Sequence, residues 1–303
     1  MNRRLLILVS FVLIFSACSK KPPSIPDPAT SGDISPVPPR FSQNFLIEKF
    51  TSSFEGQSPK GDFFSDSLIR TNQGRVFCSA IHVNDLLTDT ALITISTGVH
   101  QLDSLFNPSR VYPSGMVNRN YGLAVGFGPD GWGDQVQTGF GQVPQCGVAL
   151  EAKNVNNGFL YLTVHVGFSS DLFGDYRIHG YIVENSYRNG DSLYDQLNDF
   201  SFEGNNPDPL LPYYSLNDTI HLYTYNYVLR KVFTIEKLAG DVIPASIMKS
   251  GNEFVKSYAI NLNGINSSNC SVIVFVDKYA TTPTGHRIIN VQRVAIGESQ
   301  DWN

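Results

Sequence analysis

Four cysteines set the limits on the sulfur chemistry of this 303-residue chain. Cys18 follows an apolar run near the N-terminus, whereas Cys78, Cys146 and Cys270 lie far apart in the rest of the sequence. Dithiol–disulfide exchange needs a reactive thiolate and a second thiol beside it, and no two of these cysteines form a Cys-x-x-Cys pair. Cys146 and Cys270 fall in the same predicted half, where they either form a disulfide or stay free. Cys78 lies in a predicted buried strand, where cysteine behaves as a small apolar residue.

The other reactive side chains show no spacing that is typical of a catalytic or cofactor site. The six histidines lack the His-x-x-x-His spacing of a zinc site, and no phosphate-binding loop, nucleophile elbow or dinucleotide fingerprint is present. The net charge of −5 argues against nucleic acid, because nucleic-acid binding requires a basic surface. The sequence therefore predicts no cofactor, no metal and no nucleic-acid partner.

The N-terminus is typical of a secretion signal. Two arginines precede an apolar run at residues 5–16, which is shorter than the roughly 20 residues that a membrane-spanning helix needs. The run ends at Ala17 and Cys18, and a small residue followed by cysteine resembles a bacterial lipobox. We expect removal of residues 1–17 and acylation of Cys18; the alternative is an ordinary signal peptide in which the cysteine is incidental. Because Ser19 replaces the aspartate that commonly retains lipoproteins at the inner membrane, we expect the outer membrane.

Residues 18–42 are predicted to form an extended tether. This segment holds seven prolines, and proline is excluded from helix interiors and central strands. A lipid followed by a stiff spacer holds a folded body away from a membrane. Removing residues 1–17 takes away two arginines and no acidic residue, so the net charge of the mature chain is −7.

The first predicted folded half covers residues 43–142 and has a strand–helix–strand pattern. Residues 45–50 predict a strand, and Pro59 stands where a helix would begin, because the first helical turn tolerates a missing N–H. Residues 75–83 are apolar enough for a central strand, and a right-handed crossover makes the two strands parallel. With a further short helix around residues 132–140, this half is predicted to be α/β.

The second predicted half, residues 143–303, is dominated by alternation of apolar and polar residues. Seven or eight short strands separated by turn signals favour an all-β sandwich of immunoglobulin-like type. The candidate strands are residues 147–153, 159–168, 176–184, 220–227, 231–239, 254–262, 270–277 and 288–296. The predicted core residues are Val148, Leu150, Leu160, Leu162, Val164, Ile273 and Phe275.

One long insertion, residues 187–218, interrupts this alternation and is rich in carboxylates and aromatic rings. A loop of this length in a compact domain is often functional. Its acidic residues do not have the spacing of an EF-hand calcium loop, whereas carboxylates combined with aromatic rings suit a sugar or a peptide. The alternative is a packed surface loop whose aromatic residues cover the edge of a sheet.

Four segments, in this order, resemble the outer-membrane-protein-28 family of Gram-negative lipoproteins. They are FLIEKFTSSFEGQSPKGD (45–62), VFCSAIHVND (76–85), VYPSGMVNR (111–119), and TYNYVLRKV (224–232) with GDVIP (240–244). The resemblance covers nearly all of the mature chain. It implies a thioredoxin-like first half and an immunoglobulin-like second half.

The resemblance breaks at the positions that carry redox chemistry in relatives. There the first segment contains Cys-x-x-Cys-Pro, and the matching positions here are Glu55, Ser58 and Pro59. We predict no dithiol activity, since neither a carboxylate nor a hydroxyl exchanges sulfur. Glu55 either contacts a ligand or only places a charge at a helix start. The resemblance also implies a cis bond between Tyr112 and Pro113, with the proline facing these positions; the five residues together are called the degenerate site.

Three hypotheses about function follow. The first is a non-catalytic outer-membrane lipoprotein that binds, adheres to or scaffolds a protein, peptide or glycan. The second is a thiol–disulfide oxidoreductase that uses Cys78 or another cysteine in an altered site. His82, which follows the second strand, is expected near the degenerate site as a structural histidine. The third is an adhesin whose binding site lies on the loops of the sandwich, including the insertion.

Overall fold

The computed structural model describes residues 34–87, 102–120 and 128–303. The predicted signal peptide, Cys18 and the tether up to residue 33 lie outside the described residues. The residues that the structure describes are mostly β, with 36% in strands and 17% in helices. Within the described ranges, no helix has the length and apolar character needed to cross a bilayer.

The first half begins with the predicted strand–helix–strand unit. Strand β1 (Phe45–Thr51), helix α1 (Ser58–Thr71) and strand β2 (Val76–His82) follow one another, and the two strands pair in parallel over seven residues. Pro59 lies in the first turn of α1, as predicted. After the helix, Gly74 adopts φ +78°, a left-handed conformation that glycine reaches without a steric penalty, and the chain turns back into β2. All three predicted elements are confirmed.

Three further elements complete the first half. Helix α2 (Leu102–Phe106) is followed by strand β3 (Ser114–Val117), which pairs antiparallel with β1. Helix α3 (Trp132–Gly139) confirms the helix predicted near residues 132–140, and its buried face packs with β1 and β2. The peptide bond between Tyr112 and Pro113 is cis, as the family resemblance implied.

The second half contains strands and short turns of 3₁₀-helix. Six of the eight predicted strands are confirmed to within a few residues. The strands are β4 (Cys146–Asn156), β5 (Phe159–Phe168), β6 (Tyr176–Glu184), β7 (Gln196–Leu197), β8 (Thr219–Ile220), β9 (Val228–Val232), β10 (Asp241–Val242), β11 (Glu253–Asn261), β12 (Cys270–Lys278), β13 (Arg287–Ala295) and β14 (Ser299–Gln300).

The two strands predicted at residues 220–227 and 231–239 are wrong. The first ends after Ile220, because Leu222 and Tyr227 adopt left-handed φ values of +55° and +60° that an extended strand cannot contain. The second is replaced by the short β9 and a later 3₁₀ turn. Alternation of apolar and polar residues does not reveal left-handed positions, so the strands that it predicts here are too long.

Two sheets enclose the core of the second half. One has the order β11-β5-β4-β14, and the other has the order β13-β12-β6-β9-β2-β1-β3, with β10 also paired to β6. The predicted core residues of β4 and β5 lie in the cluster of buried residues that contains inward-facing residues of both sheets. Ile273 and Phe275 are equally buried but belong to a second cluster, because β12 is covered on both faces. Ile273 and Phe275 were therefore assigned to the wrong face of β12.

Strand β9 connects the two halves within the larger sheet. It pairs antiparallel with β6 and parallel with β2, where Ala80 lies opposite Val228. The predicted boundary after residue 142 is thus crossed by one hydrogen-bonded sheet. The division into two domains stays a prediction.

The described end of the predicted tether lies against the body of the protein. Phe41 is buried and packs on Gly147, where an added Cβ would stand only 2.1 Å from the ring. The indole N–H of Trp302 donates to the carbonyl of Ser35 at 2.7 Å, and the Ser35 hydroxyl donates to Asp301 at 2.5 Å. Residues 34–42 therefore pack beside the C-terminus, because this proline-rich segment also carries apolar side chains.

Candidate functional site

The residues at the start of α1 show which part of the degenerate site a substrate can reach. Ser58 is fully buried, and its hydroxyl oxygen accepts a hydrogen bond from the Ser52 N–H at 3.3 Å. Pro59 is also buried, whereas the Glu55 side chain is exposed. The hydroxyl that replaces the second cysteine of relatives therefore serves the packing of the loop.

Glu55 does not cap the helix. The N-cap residue of α1 is Gln57, and the first turn contains no acidic residue. The backbone carbonyl of Glu55 accepts the Ser58 N–H at 3.0 Å, which closes the turn that leads into the helix. The interpretation of Glu55 as a helix-start charge is therefore wrong, because the helix begins too far along the chain.

The insertion covers the loop before α1, residues 53–56. The Leu197 N–H donates to the Ser53 carbonyl at 3.0 Å, and the Asp199 N–H donates to the Gly56 carbonyl at 2.9 Å. The buried Gln196 amide donates to the carbonyls of Ser53 and Glu55, at 3.2 and 3.1 Å. Residues 196–199 thus occupy the backbone carbonyls of this loop. A substrate that approached the degenerate site would otherwise meet these carbonyls.

This contact is close enough to require glycine. A Cβ placed on Gly56 would lie 2.2 Å from a carboxylate oxygen of Asp199. That is shorter than any ordinary van der Waals contact, so a larger residue would force the Asp199 side chain to move.

Pro113 lies where the family resemblance placed it, and Tyr112 turns away. A Cβ placed on Gly61, in the first turns of α1, would lie 2.8 Å from Pro113 Cβ, so the proline ring packs closely on the helix backbone. The Tyr112 hydroxyl instead donates to Asp103 on α2 at 2.9 Å. Burial and the neighbouring Asp103 raise the pKa of Tyr112 to about 12, so its phenol stays protonated at neutral pH.

His82 lies beside the covered loop, as predicted, and is held on two sides. Its Nδ1 lies 2.7 Å from an Asp85 oxygen that also accepts the Ser53 N–H at 2.8 Å. The ring packs edge-to-face on Tyr225, with ring centroids 5.4 Å apart. Although burial alone raises the pKa of Asp85, the charge and hydrogen bond of His82 lower it overall. His82 and Asp85 therefore fix the loop.

The three described cysteines are buried and unpaired. Burial raises the pKa of Cys78, Cys146 and Cys270 to about 12 in each case, so very little thiolate forms at neutral pH. The disulfide that was left open between Cys146 and Cys270 is not formed.

A cleft between α1 and the insertion brings together residues that the sequence did not single out. It has a volume of about 330 Å³ and is called the α1 cleft. The residues whose polar groups line it include Asp62, Asp66, Arg188, Tyr213, Tyr223 and Asn226. The spacing of Asp62 and Asp66, one helical turn apart, was the one visible signal that both carboxylates share a face of α1.

A buried charge pair forms the floor of the α1 cleft. The Lys49 ammonium, on β1, pairs with Asp62 although its side chain is only 1% exposed. The other Asp62 oxygen accepts the Tyr223 hydroxyl at 2.7 Å, and this hydroxyl lies 3.4 Å from that of Tyr213. Burial alone lowers the pKa of a lysine, but the Asp62 carboxylate raises that of Lys49. Burial raises the pKa of Asp66, which lacks such a direct cationic partner.

A second buried network spans the two halves and was not predicted. The Arg119 guanidinium binds both Glu48 oxygens at 2.8 and 2.9 Å and lies 3.2 Å from Asp277 on β12. The Tyr181 hydroxyl donates to Glu48 at 2.8 Å. Burial alone raises the pKa of Asp277, but Arg119 and neighbouring histidines hold it well below its usual range. Since the groups satisfy one another, this network is structural.

Among residues 34–87, 102–120 and 128–303, no group of three or more histidine, cysteine or acidic side chains is arranged to hold a metal ion. The α1 cleft is one of the pockets that the described residues form, and it carries two carboxylates and an arginine.

Two solved bacterial structures were matched over most of the chain, and the first of them shares its fold. HBP35 of Porphyromonas gingivalis is 18% identical, covers 86% of this chain and 77% of its own, and superposes with a TM-score of 0.61. A structural-genomics protein from Agrobacterium tumefaciens is 11% identical, with coverage of 85% and 96% and a TM-score of 0.49. No curated protein matches the chain.

The family is shown by sequence. A domain of the outer membrane lipoprotein Omp28 from Porphyromonas gingivalis is 14% identical, covers 51% of this chain and 90% of its own, and has a TM-score of only 0.28. The family model "Outer membrane protein Omp28", in contrast, matches residues 100–300, which is more than half of the chain. The chain therefore belongs to the Omp28 family of outer membrane proteins and is located at the outer membrane of the cell envelope.

Proposed function

We propose that this protein is an outer-membrane lipoprotein, acylated on Cys18, that binds a ligand and carries out no thiol chemistry. Its first half is a redox-inactive thioredoxin-like domain, and its second half is an immunoglobulin-like sandwich. The parallel β1–α1–β2 unit, the cis Tyr112–Pro113 bond and the two facing sheets support these assignments.

The observation that carries the proposal is the contact of residues 196–199 with the 53–56 loop that leads into α1. These four residues are called the cover. Glu55 and Ser58 stand where relatives have cysteines, and residues 196–199 occupy the backbone carbonyls beside them. A redox enzyme needs this surface open, because a substrate disulfide must approach the attacking sulfur. Arg188 and Tyr213 of the same insertion line the α1 cleft on the flank of the helix, together with residues 220–226 that follow it.

The buried thiols argue against the competing interpretation, an oxidoreductase with an altered site. An attacking thiol works best when its pKa is near the ambient pH and when it is accessible. Cys78, Cys146 and Cys270 meet neither condition, because each is buried and each has its pKa raised to about 12.

The insertion also presents apolar side chains to solvent. Phe202 is 71% exposed and Leu210 is 88% exposed, both within the predicted insertion. Exposed apolar side chains that lie together are typical of a surface that meets a partner.

The test is an insulin-reduction assay on the full-length protein in detergent, with a Glu55→Cys/Ser58→Cys variant as the comparison. We expect no turnover from the wild type. Clear turnover that is abolished by Cys78→Ser would overturn the proposal in favour of the oxidoreductase. Acylation is tested separately by metabolic labelling with palmitate, which Cys18→Ala should abolish.

A further inference from the structure

We propose that the α1 cleft binds a carbohydrate, with Asp66 and Arg188 as the residues that hold its hydroxyl groups. This proposal rests on the proposed function, since it names the class of ligand that a non-redox binding protein of this structure would take. It is carried by four properties of the cleft: its balance of charge, its hydrogen-bonding groups, its aromatic wall and its rigidity.

The charges around the cleft nearly cancel. Lys49 neutralises Asp62 from below, and Asp66 lies in the same cleft as the exposed Arg188, which makes no ion pair with any residue in the described parts of the chain. A phosphate or a polyanion would meet both carboxylates, and a strongly cationic ligand would meet Arg188. A neutral ligand rich in polar groups avoids both conflicts.

The hydrogen-bonding groups suit adjacent hydroxyls. A carboxylate only accepts, a guanidinium only donates, and an amide does both in one plane. Asp66 supplies an acceptor and Arg188 supplies donors, whereas Asn226, whose Oδ1 already accepts the Ser186 N–H at 3.0 Å, adds its NH₂ group as a donor. A sugar hydroxyl both donates and accepts, so a pair of neighbouring hydroxyls can bind a carboxylate on one side and a guanidinium on the other.

Two tyrosine rings form part of the wall. Tyr213 and Tyr223 have ring centroids 6.4 Å apart, and both rings are partly buried. The Tyr223 hydroxyl is fixed by Asp62, so the ring cannot rotate freely. Aromatic side chains with one apolar body and one polar tip suit a ligand that has C–H faces and hydroxyl edges.

The wall is also held in one conformation. Leu222 and Tyr227 lie on either side of residues 223–226, and both adopt left-handed φ values, of +55° and +60°. Bulky residues adopt this conformation only where their surroundings hold it, as at ligand sites. Tyr225 is fixed in addition by a backbone bridge to Tyr187. A wall that is already ordered loses less conformational entropy when a ligand binds.

The experiment is a glycan array probed with the full-length protein in detergent, followed by titration calorimetry with the strongest oligosaccharide. Asp66→Asn and Arg188→Gln each remove one charged partner and nearly preserve side-chain size. We expect each variant to weaken binding about tenfold or more, because hydrogen bonds to charged groups are the strong ones. Asp130→Asn and Arg40→Gln change the same chemistry at exposed positions outside the cleft, and we expect them to bind within about twofold of wild type.

Three results would overturn this inference: saturable binding of no glycan, binding that survives both cleft variants, or equal losses in the two control variants. Arg188 is exposed, so its variant remains informative even if Asp66→Asn disturbs folding. If a peptide array instead yields a ligand whose binding the cleft variants abolish, the carbohydrate is wrong while the binding function stands. Insulin turnover would overturn the proposed function whatever the array shows.

Discussion

The N-terminal end and the flank of helix α1 differ in how the neighbouring chain packs on them. At the N-terminal end of the helix, residues 196–199 lie on the 53–56 loop and bind its carbonyls. Along the flank of the same helix, residues 220–226 do not pack closely on α1, and the α1 cleft of about 330 Å³ lies between them and the helix. One surface is held by uncharged hydrogen bonds between backbone and amide groups, whereas the other is built over a buried charge pair.

This difference shows how a binding site can arise on a scaffold whose original surface is closed. Thiol chemistry needs the end of α1, and a binding cleft needs only a flank with suitable side chains. Lys49 neutralises Asp62 on that flank, burial raises the pKa of Asp66, and Tyr213 and Tyr223 give the cleft an aromatic wall. Two segments that lie about 20 residues apart thus pack differently on α1. Residues 196–199 lie on the loop before the helix, and residues 220–226 line the cleft on its flank.

Removing the charge under the cleft should have the largest effect on stability. Lys49→Met leaves Asp62 without its cation in a partly buried position, and we expect unfolding to become easier by about 3 kcal/mol. Urea unfolding followed by circular dichroism measures this change.

The matched control for Lys49→Met is Lys60→Met on α1, the helix that also carries Asp62. Lys60 pairs with Asp130 at the surface, and such a pair contributes less than about 1 kcal/mol. A double variant, Lys49→Met/Asp62→Asn, should recover much of the lost stability because no uncompensated charge remains. Equal losses in the single and double variants would mean that packing around Lys49, and not the charge pair, supports the cleft.

Opening the cover should have the next largest effect. Gln196→Ala removes a buried amide that donates to the carbonyls of Ser53 and Glu55, and we expect a loss of about 2 kcal/mol. Hydrogen exchange should increase at the Leu197 and Asp199 amides, which bond to the covered loop. Gln57→Ala, at an exposed position without a capping bond, should change neither quantity. Unchanged protection at both amides in Gln196→Ala would show that the cover does not depend on this side chain.

A smaller effect is expected where the cover is tightest. Gly56→Ala places a methyl group against the Asp199 carboxylate, which can rotate away but then loses its hydrogen bond from Asn205. We expect a loss of about 1 kcal/mol, measured by thermal unfolding. Gly141→Ala is the matched control, because nothing lies within 4 Å of the added methyl group. If both variants lost the same stability, the contact between loop and insertion would not be close.

The sequence predicted the covered end of α1 better than the cleft beside it. Strands β1 and β2 and the helix start at Pro59 follow from local rules, and the structure has all of them. The cover does not follow from such rules, because Gln196 contacts a loop more than 140 residues earlier in the chain.

The missed residues share one physical cause. Lys49 lies in a fully buried strand, and Arg119 and Asp277 are 158 residues apart, so their charges can be explained only by partners that folding brings together. In residues 220–227 the pattern of aromatic residues suggested a strand, whereas Leu222 turns the chain left-handed. The insertion itself was recognised as a long loop with carboxylates and aromatic rings, but its contact with the degenerate site could not be read from its composition.

The pH dependence of stability should distinguish the two surfaces with the smallest effects. Asp85, beside the covered loop, has a lowered pKa, so it stabilises the fold above the unfolded value of about 4, and this contribution disappears as pH falls through the folded value. Asp66, in the cleft, has a raised pKa, so its ionisation destabilises the fold at neutral pH, and the penalty disappears as pH falls toward about 4. Asp85→Asn should therefore lose stability at pH 7 and Asp66→Asn should gain it, with both differences from wild type shrinking in acid.

A gain in stability together with weaker binding in Asp66→Asn is what a residue kept for its ligand would show. If Asp66→Asn instead lost stability at pH 7, Asp66 would be a structural carboxylate like Asp85.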